Sequence, residues 1–267
     1  MKITDMGGYR DEHFIENMAL NIEKSIEATN SNVLCLFNSR KRQEDTYGIL
    51  VDRLHEKDIE IYTNKKGIKS LKNVENKSVV LGSKGCFEGV DVPGDGLVCV
   101  TLDKMPNLNP RDPLYFSIMT KFKRSYFQVN YPQMIIKVKQ ALGRILRSKY
   151  DYGVFIVFDM GNNDYINKKL EQNLHGCKIT NIRSSDIENY IRYHMKKSRK
   201  DIIVELITDI LKNNQVKSHT LNLADYVNRQ IKQRSIKASV KYYENQKNKL
   251  LVQYYNVKYI VDIDKIC

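Results

Sequence analysis

Five short apolar runs, Val33–Phe37, Ile59–Tyr62, Ser78–Leu81, Leu97–Leu102 and Val154–Phe158, alternate with stretches of helical periodicity. The first of them is apolar on both faces, as a strand is when helices cover a parallel sheet on two sides. Ahead of it, Phe14, Ile15, Met18, Ile22 and Ile26 recur every three or four residues and predict an amphipathic helix over residues 11–29. Further helical stretches over 41–55 and 67–74 each precede another apolar run. Buried strands alternating with helices specify an α/β domain built on a parallel sheet with flanking helices. Residues 1–10 are polar, contain a Gly7-Gly8 pair, and read as a lead-in.

Each apolar run is followed by polar residues: Asn38-Ser39-Arg40, Thr63-Asn64-Lys65, Gly82-Ser83-Lys84, Asp103-Lys104 and Asp159. In a parallel sheet these gather at the carboxyl edge, where open α/β folds bind ligands. Polar turns end strands in any fold, so the pattern marks a place before it marks a chemistry. Its glycine, serine and lysine content suits phosphate or sugar better than an apolar ligand. A formal net charge of +13 points the same way, toward a polyanionic partner such as nucleic acid, nucleotide or an acidic surface.

Several function classes are disfavoured. The five cysteines are scattered without a C-x-x-C pair, which argues for a reducing, cytoplasmic setting and against a disulfide framework or zinc site. The histidines form no H-E-x-x-H, so no protein-held metal is expected. No apolar run reaches the roughly 18–20 residues of a membrane span, and the first dozen residues are too polar for a signal peptide.

Residues 132–148 predict a helix with two functional faces. Met134, Ile135, Val138, Ala141, Leu142, Ile145 and Leu146 make an apolar side, opposite a stripe of Gln133, Lys137, Gln140, Arg144 and Arg147. Pro132 suits its first turn. Gly143 sits inside the pattern at a cost of about 1 kcal/mol, which suggests that something approaches the backbone there. Forked guanidinium donors at Arg144 and Arg147 are suited to phosphate, although a solvated polar face would show the same spacing.

After residue 195 the alternation stops. Lys196-Lys197-Ser198-Arg199-Lys200 reads as a basic linker between a first domain, 1–195, and a C-terminal module, 196–267. The module's apolar spacing predicts helices around 202–210, 221–231 and 235–246, then strands over 249–255 and 257–263. Three helices and a hairpin form the order of a winged-helix domain. Lys237 and Lys241 would then lie on its third helix as nucleic-acid contacts. The module holds 15 Lys and Arg against 7 Asp and Glu, so a nucleic-acid-binding appendage and a basic packing domain both fit.

The glycine-rich stretch from Leu81 to Pro106 places Glu88 and Asp91 around Gly89-Val90, within reach of hydroxyls or a cation. Phe87-Glu-Gly-Val-Asp-Val-Pro-Gly-Asp, Asp103-Lys-Met-Pro, Asp112-Pro and Gln140-x-x-Gly-Arg-x-x-Arg follow one another in the chain. In that order and spacing they resemble the second RecA-like lobe of the DinG/XPD family, superfamily 2 DNA helicases. Phe37-Asn38-Ser39 resembles the family's fourth motif, 81–91 its fifth and 140–147 its sixth, so the resemblance covers roughly residues 11–195.

The resemblance implies a RecA-like sheet and a set of roles. Arg144 and Arg147 would stabilise charge on the γ-phosphate of ATP bound with Mg²⁺ on the other lobe, as an arginine finger does. Gln140, Gly143, Glu88 and Asp91 would contact the nucleotide or couple it to the strand. Ser39, Arg40, Ser83 and Lys84 would line the track of single-stranded or forked DNA, a salt-sensitive mode of binding without base readout. Two departures stand out. Gly161 occupies the position two residues past Asp159 where the family commonly has arginine, and no G-x-x-x-x-G-K-[ST] loop occurs in the sequence. Asp11-Glu12-His13 superficially resembles the family's metal-binding box but follows no buried strand. The family's iron–sulfur cysteines belong to the first lobe, so no such cluster is expected. The expectation is a motor lobe that needs a first lobe, in cis or in trans, to hydrolyse ATP. The rival is a non-enzymatic DNA-binding or regulatory protein that keeps the lobe as a scaffold.

Overall fold

The computed structural model describes the chain apart from residues 64, 74, 76, 84, 85, 88–91, 93, 110, 162, 175, 176, 178, 213–221, 255, 256, 266 and 267. The described strands β1 (Lys2–Ile3), β2 (Val33–Leu36), β3 (Glu60–Tyr62), β4 (Ser78–Gly82), β5 (Cys99–Leu102), β6 (Val154–Val157) and β7 (Asn181–Ile182) form one parallel sheet. Its order is β3-β4-β2-β5-β6-β1-β7. Every apolar run of the sequence pattern contributes one of these strands. In β2 the pleat sends Val33 and Cys35 into one core and Leu34 and Leu36 into the other, with all four buried. That is the two-sided burial expected from its continuous apolar run.

Residues 1–10 are not a lead-in. Lys2 pairs with Val157 on one side and Asn181 on the other, so β1 is an interior strand between β6 and β7. Two residues carry too little periodicity to be recognised as a strand, and both partner strands lie in the second half of the chain.

Helices α1 (Phe14–Thr29), α2 (Arg40–His55), α4 (Tyr131–Leu142) and α5 (Asp164–Asn173) flank the sheet, and the short α3 (Pro113–Met119) lies outside both cores. Ser39 caps α2, Asp112 caps α3 and Asn163 caps α5, each accepting a backbone N–H of the first turn. α1 packs with α6 (Ile187–Lys212) on one face, while α4 covers the other. α4 is shorter than its apolar pattern suggests. Its last helical residue is Leu142, and Gly143 is the C-cap with φ −64° and ψ −7°. A side chain at Gly143 would meet only the carbonyls of Lys139 and Gln140, so no distant element presses on its backbone. Arg144 and Arg147 therefore follow the helix rather than extend its stripe.

The basic run 196–200 lies inside α6, which continues unbroken across the expected boundary at 195. The C-terminal part adds α7 (Leu223–Gln233) and an antiparallel sheet of β8 (Ala238–Tyr243), β9 (Gln246–Tyr254) and β10 (Val257–Asp262). The expected third helix over 235–246 is a strand and a turn instead, so no winged-helix arrangement of three helices and a hairpin forms among the described residues. Ile236 and Val240 are buried on one side, whereas Ser239 and Lys241 are exposed, which is a period of two. Glu244 and Asn245 both have positive φ (47° and 62°) and link Tyr243 to its partner Gln246 in a two-residue hairpin loop. Ile202, Ile203, Leu206 and Ile207 of α6, Val227 and Ile231 of α7, and Val240, Leu250 and Val252 share one core with α1.

Candidate functional site

Two clusters lie at opposite edges of the parallel sheet. At the carboxyl edge, Asp103 directly follows β5, with 1% exposure. Its carboxylate accepts the Asn38 backbone N–H at 3.1 Å, the Asn38 Nδ2 at 2.7 Å and the Lys104 N–H at 2.8 Å. Asn38 Nδ2 also donates to the Lys104 carbonyl at 3.0 Å. The ends of β2 and β5 are thereby locked together, with Ser39 held at the start of α2. Burial, opposed by the Asn38 bonds, pushes the Asp103 carboxyl above the usual carboxylate range.

Tyr9, on the chain between β1 and α1, covers this edge. Its ring centroid lies 3.7 Å from the Arg42 guanidinium and 3.9 Å from Lys104 Nζ, two cation–π contacts. Arg42 also donates to the Tyr9 carbonyl, and the Tyr9 N–H donates to Asp159 Oδ2 at 3.2 Å. The other Asp159 oxygen accepts the Gly161 N–H at 2.8 Å. Lys2, Gly7, Gly8, Arg10, Lys104 and Gly161 are among the residues that line a cavity of about 710 Å³ beside these groups. Arg40 is exposed at the mouth of α2 and pairs with Glu44 at 3.0 Å. Ser83 is half-buried after β4, and its carbonyl accepts the Cys86 N–H at 2.7 Å.

Sequence reasoning misses Tyr9 and Arg42. The Gly7-Gly8 pair is the available signal: Gly7 takes φ 78°, a turn conformation that suits glycine, two residues before Tyr9.

The second cluster belongs to the end of α4. The strands before and after this helix, β5 and β6, are parallel neighbours, so α4 runs back across the sheet and ends toward the strands' amino ends. The connection from β4 to β5 likewise leads from the carboxyl end of one strand to the amino end of the next, and Phe87 is among its described residues. The two meet where an Arg144 Nη2 donates to the Phe87 carbonyl at 2.8 Å. Arg147 is exposed, and its Nη2 donates to the Arg144 carbonyl at 3.0 Å. The turn is closed by Asp151 Oδ2, which accepts the N–H groups of Arg147 (2.8 Å) and Ser148 (2.7 Å). Gln140 is half-buried in the last turn of α4. Glu88, Asp91 and Lys84 lie outside the described residues. Lys237 and Lys241 join neither cluster: they sit next to or within β8, with Lys241 exposed.

The segment's lower end is fastened to the C-terminal part. Asp95, 1% exposed, accepts the hydroxyls of Tyr152 and Tyr254 and the Lys237 N–H, the last at 2.6 Å. Its own N–H donates to the Ser235 carbonyl at 3.1 Å. Arg199 of α6 donates to Tyr152 Oη at 2.8 Å and to the Thr29 carbonyl at 3.0 Å. Burial first, with the Asp95 charge adding to it, holds both phenols well above the usual tyrosine range.

The chain thus presents a parallel sheet with a polar carboxyl edge and, after α4, an arginine turn bonded to Phe87. The family model for the helicase C-terminal domain matches residues 22–176, and the chain belongs to that family. Its relatives include the 3'-5' exonuclease DinG of Staphylococcus aureus strain MSSA476, 28% identical over 174 residues that cover 61% of this chain and 19% of the relative. The protein of the same name from strain USA300 is 27% identical over the same coverage. The chain thus matches about a fifth of the length of these curated relatives. Similar solved structures include S. cerevisiae Dbp5 bound to RNA and ADP BeF3 (TM-score 0.47, 16% identity, 74% of this chain and 44% of that one). An XPD helicase is another (TM-score 0.49, 13% identity, 65% and 32%). The family match identifies this region as a helicase C-terminal domain, with DinG proteins among its relatives. Among the described residues, no helix is long and apolar enough to cross a membrane.

Proposed function

We propose that the lobe binds ATP and single-stranded DNA jointly with a first helicase lobe and supplies the arginines for ATP hydrolysis. The observation that carries this reading is the Arg144–Phe87 bond, which joins the sixth-motif turn to the fifth-motif segment. Two guanidiniums on a short turn provide forked donors for a triphosphate presented from outside, where negative charge develops on the γ-phosphate. Gln140, Gly143, Glu88 and Asp91 serve the nucleotide and its coupling to the strand. The phosphate-cradling loop and Mg²⁺ are assigned to the first lobe. Ser39, Arg40 and Ser83 at the carboxyl edge hold the sugar-phosphate backbone, with Lys104 adding charge beside them; Lys84, outside the described residues, is assigned the same role. Placing nucleotide and strand contacts at different edges suits a device in which closure around ATP shifts the lobe along the strand.

The test is DNA-stimulated ATP hydrolysis by this chain combined with a first-lobe protein. Arg144→Ala is expected to lower kcat by about 1,000-fold or more, the scale of an arginine finger. If Arg144→Ala and Arg147→Ala together leave turnover intact while DNA binding persists, the lobe is a DNA-binding scaffold and the motor reading is lost.

A further inference from the structure

The basic run in the middle of α6 is left unused by the helicase reading. Ile191, Met195, Ile202 and Ile203 bury one side of that helix, and Tyr193, Lys196, Lys197 and Lys200 recur on another at i, i+3, i+4 and i+7. Facing them are Lys258 and Tyr259 of β10, and the end of α1 closes the remaining wall of a groove of about 740 Å³. The groove opens at the amino edge of the parallel sheet, since α1 ends just before β2 begins. Ser39, Lys104 and Asp159 are at the other edge.

The charges here are not balanced within the fold. Lys196, Lys197, Lys200 and Lys258 are exposed and make no ion pair or hydrogen bond among the described residues. Arg192 pairs with Glu188 at 2.8 Å, and Glu27, the acidic residue in the wall, is already bound by Lys57. Tyr193 is 65% exposed beside the lysines, and the Tyr259 hydroxyl is buried in the wall without a hydrogen-bond partner. Unpaired cations along a groove, with an exposed flat ring between them, are what single-stranded nucleic acid uses: charge for the backbone and a face for a base. A lipid surface would call for apolar side chains to insert. The exposed Leu114, Phe116, Phe122 and Phe127 belong to α3 and the segment after it, and none lines the groove.

We propose that this groove is a second binding site for single-stranded nucleic acid, with the four lysines on the phosphate backbone and Tyr193 stacked on a base. It is independent of the motor reading and uses none of the helicase-motif residues. The test is fluorescence anisotropy of the full chain with a labelled oligothymidylate over a salt series. Each phosphate contact to a single strand contributes about 0.7 to the salt slope, so Lys196→Ala, Lys197→Ala and Lys200→Ala combined should flatten it by about 2. Affinity for this component should fall roughly 100-fold at about 0.1 M salt. Tyr193→Ala should weaken it roughly tenfold and abolish photocrosslinking at that residue. Arg40→Ala with Lys104→Ala should leave the crosslink at Tyr193 in place. Unchanged slope and affinity in the triple variant, despite an unchanged melting temperature, would overturn the proposal. So would crosslinks confined to the carboxyl edge, or lysine-dependent capture of phosphatidylserine vesicles with no oligonucleotide bound at the groove.

Discussion

Two buried aspartates, equally hidden from solvent, close the opposite edges of the parallel sheet in different ways. Asp103 at the carboxyl edge is satisfied by Asn38 and Lys104, its neighbours at the ends of β2 and β5. Asp95 at the amino edge is satisfied by Tyr152, Tyr254 and Lys237, two of which come from the last 31 residues of the chain. The first carboxylate shapes a site within the lobe. The second fastens the C-terminal sheet to the far end of the segment that carries Glu88 and Asp91. A mutation at the amino edge should therefore disturb the whole molecule, and one at the carboxyl edge should remain local.

The largest effect is expected for Asp95→Ala. It removes the acceptor shared by the Tyr152 and Tyr254 hydroxyls, which still have each other and Arg199, and that of the Lys237 N–H, and should cost about 3–5 kcal/mol in urea unfolding. Proteolysis after residue 200 should rise in parallel. Stability near that of the wild type would show that the amino edge does not depend on this carboxylate.

Gly94 and Gly161 differ in the same way. Both have positive φ, 58° and 71°. A methyl on Gly94 would fall on the Arg234 carbonyl oxygen, whereas nothing lies within 4 Å of one on Gly161. Gly161→Ala should cost only the backbone strain, about 1 kcal/mol, and Gly94→Ala should cost about 2 kcal/mol more in the same melting experiment. Equal losses would mean that the junction yields easily.

The smallest effect is expected for Asp103→Asn, about 0.5 kcal/mol at neutral pH, because an amide can keep some but not all of the accepted bonds. The pH dependence is more telling. The folded carboxyl titrates above its unfolded value, so the folded state binds more protons between those two values. Its contribution to stability is greatest below the unfolded pKa and declines as pH rises through the folded one. Comparison of the wild type with the Asp103→Asn variant across that acid range should show the decline only in the former. A rise in wild-type stability assigned to this residue would show that its carboxylate is favoured, not penalised, by burial.

Most of the lobe can be read locally. Apolar runs 33–37, 78–81, 97–102 and 154–158 become neighbouring strands β2, β4, β5 and β6, and the motif order Phe87–Asp95 to Gln140–Arg147 is continuous in the chain. The 235–246 segment misleads because Ile236, Val240 and Tyr242 are compatible with more than one spacing over so short a span. The Glu244-Asn245 turn is the better signal. Tyr9 escapes notice because its importance comes from Arg42 and Lys104, neither of which is near it in sequence.

Sequence alone determined the alternation of buried strands and helices, the polar carboxyl edge and the order of the helicase motifs, because each rests on local spacings along the chain. Tertiary structure alone decided that β1 enters the sheet between β6 and β7, that Asp95 joins the lobe to the C-terminal sheet, and that the lysines of α6 face β10. Those outcomes depend on which distant surfaces bury each other's apolar area and satisfy each other's polar groups. Local periodicity records that a face must be covered; it does not record by what.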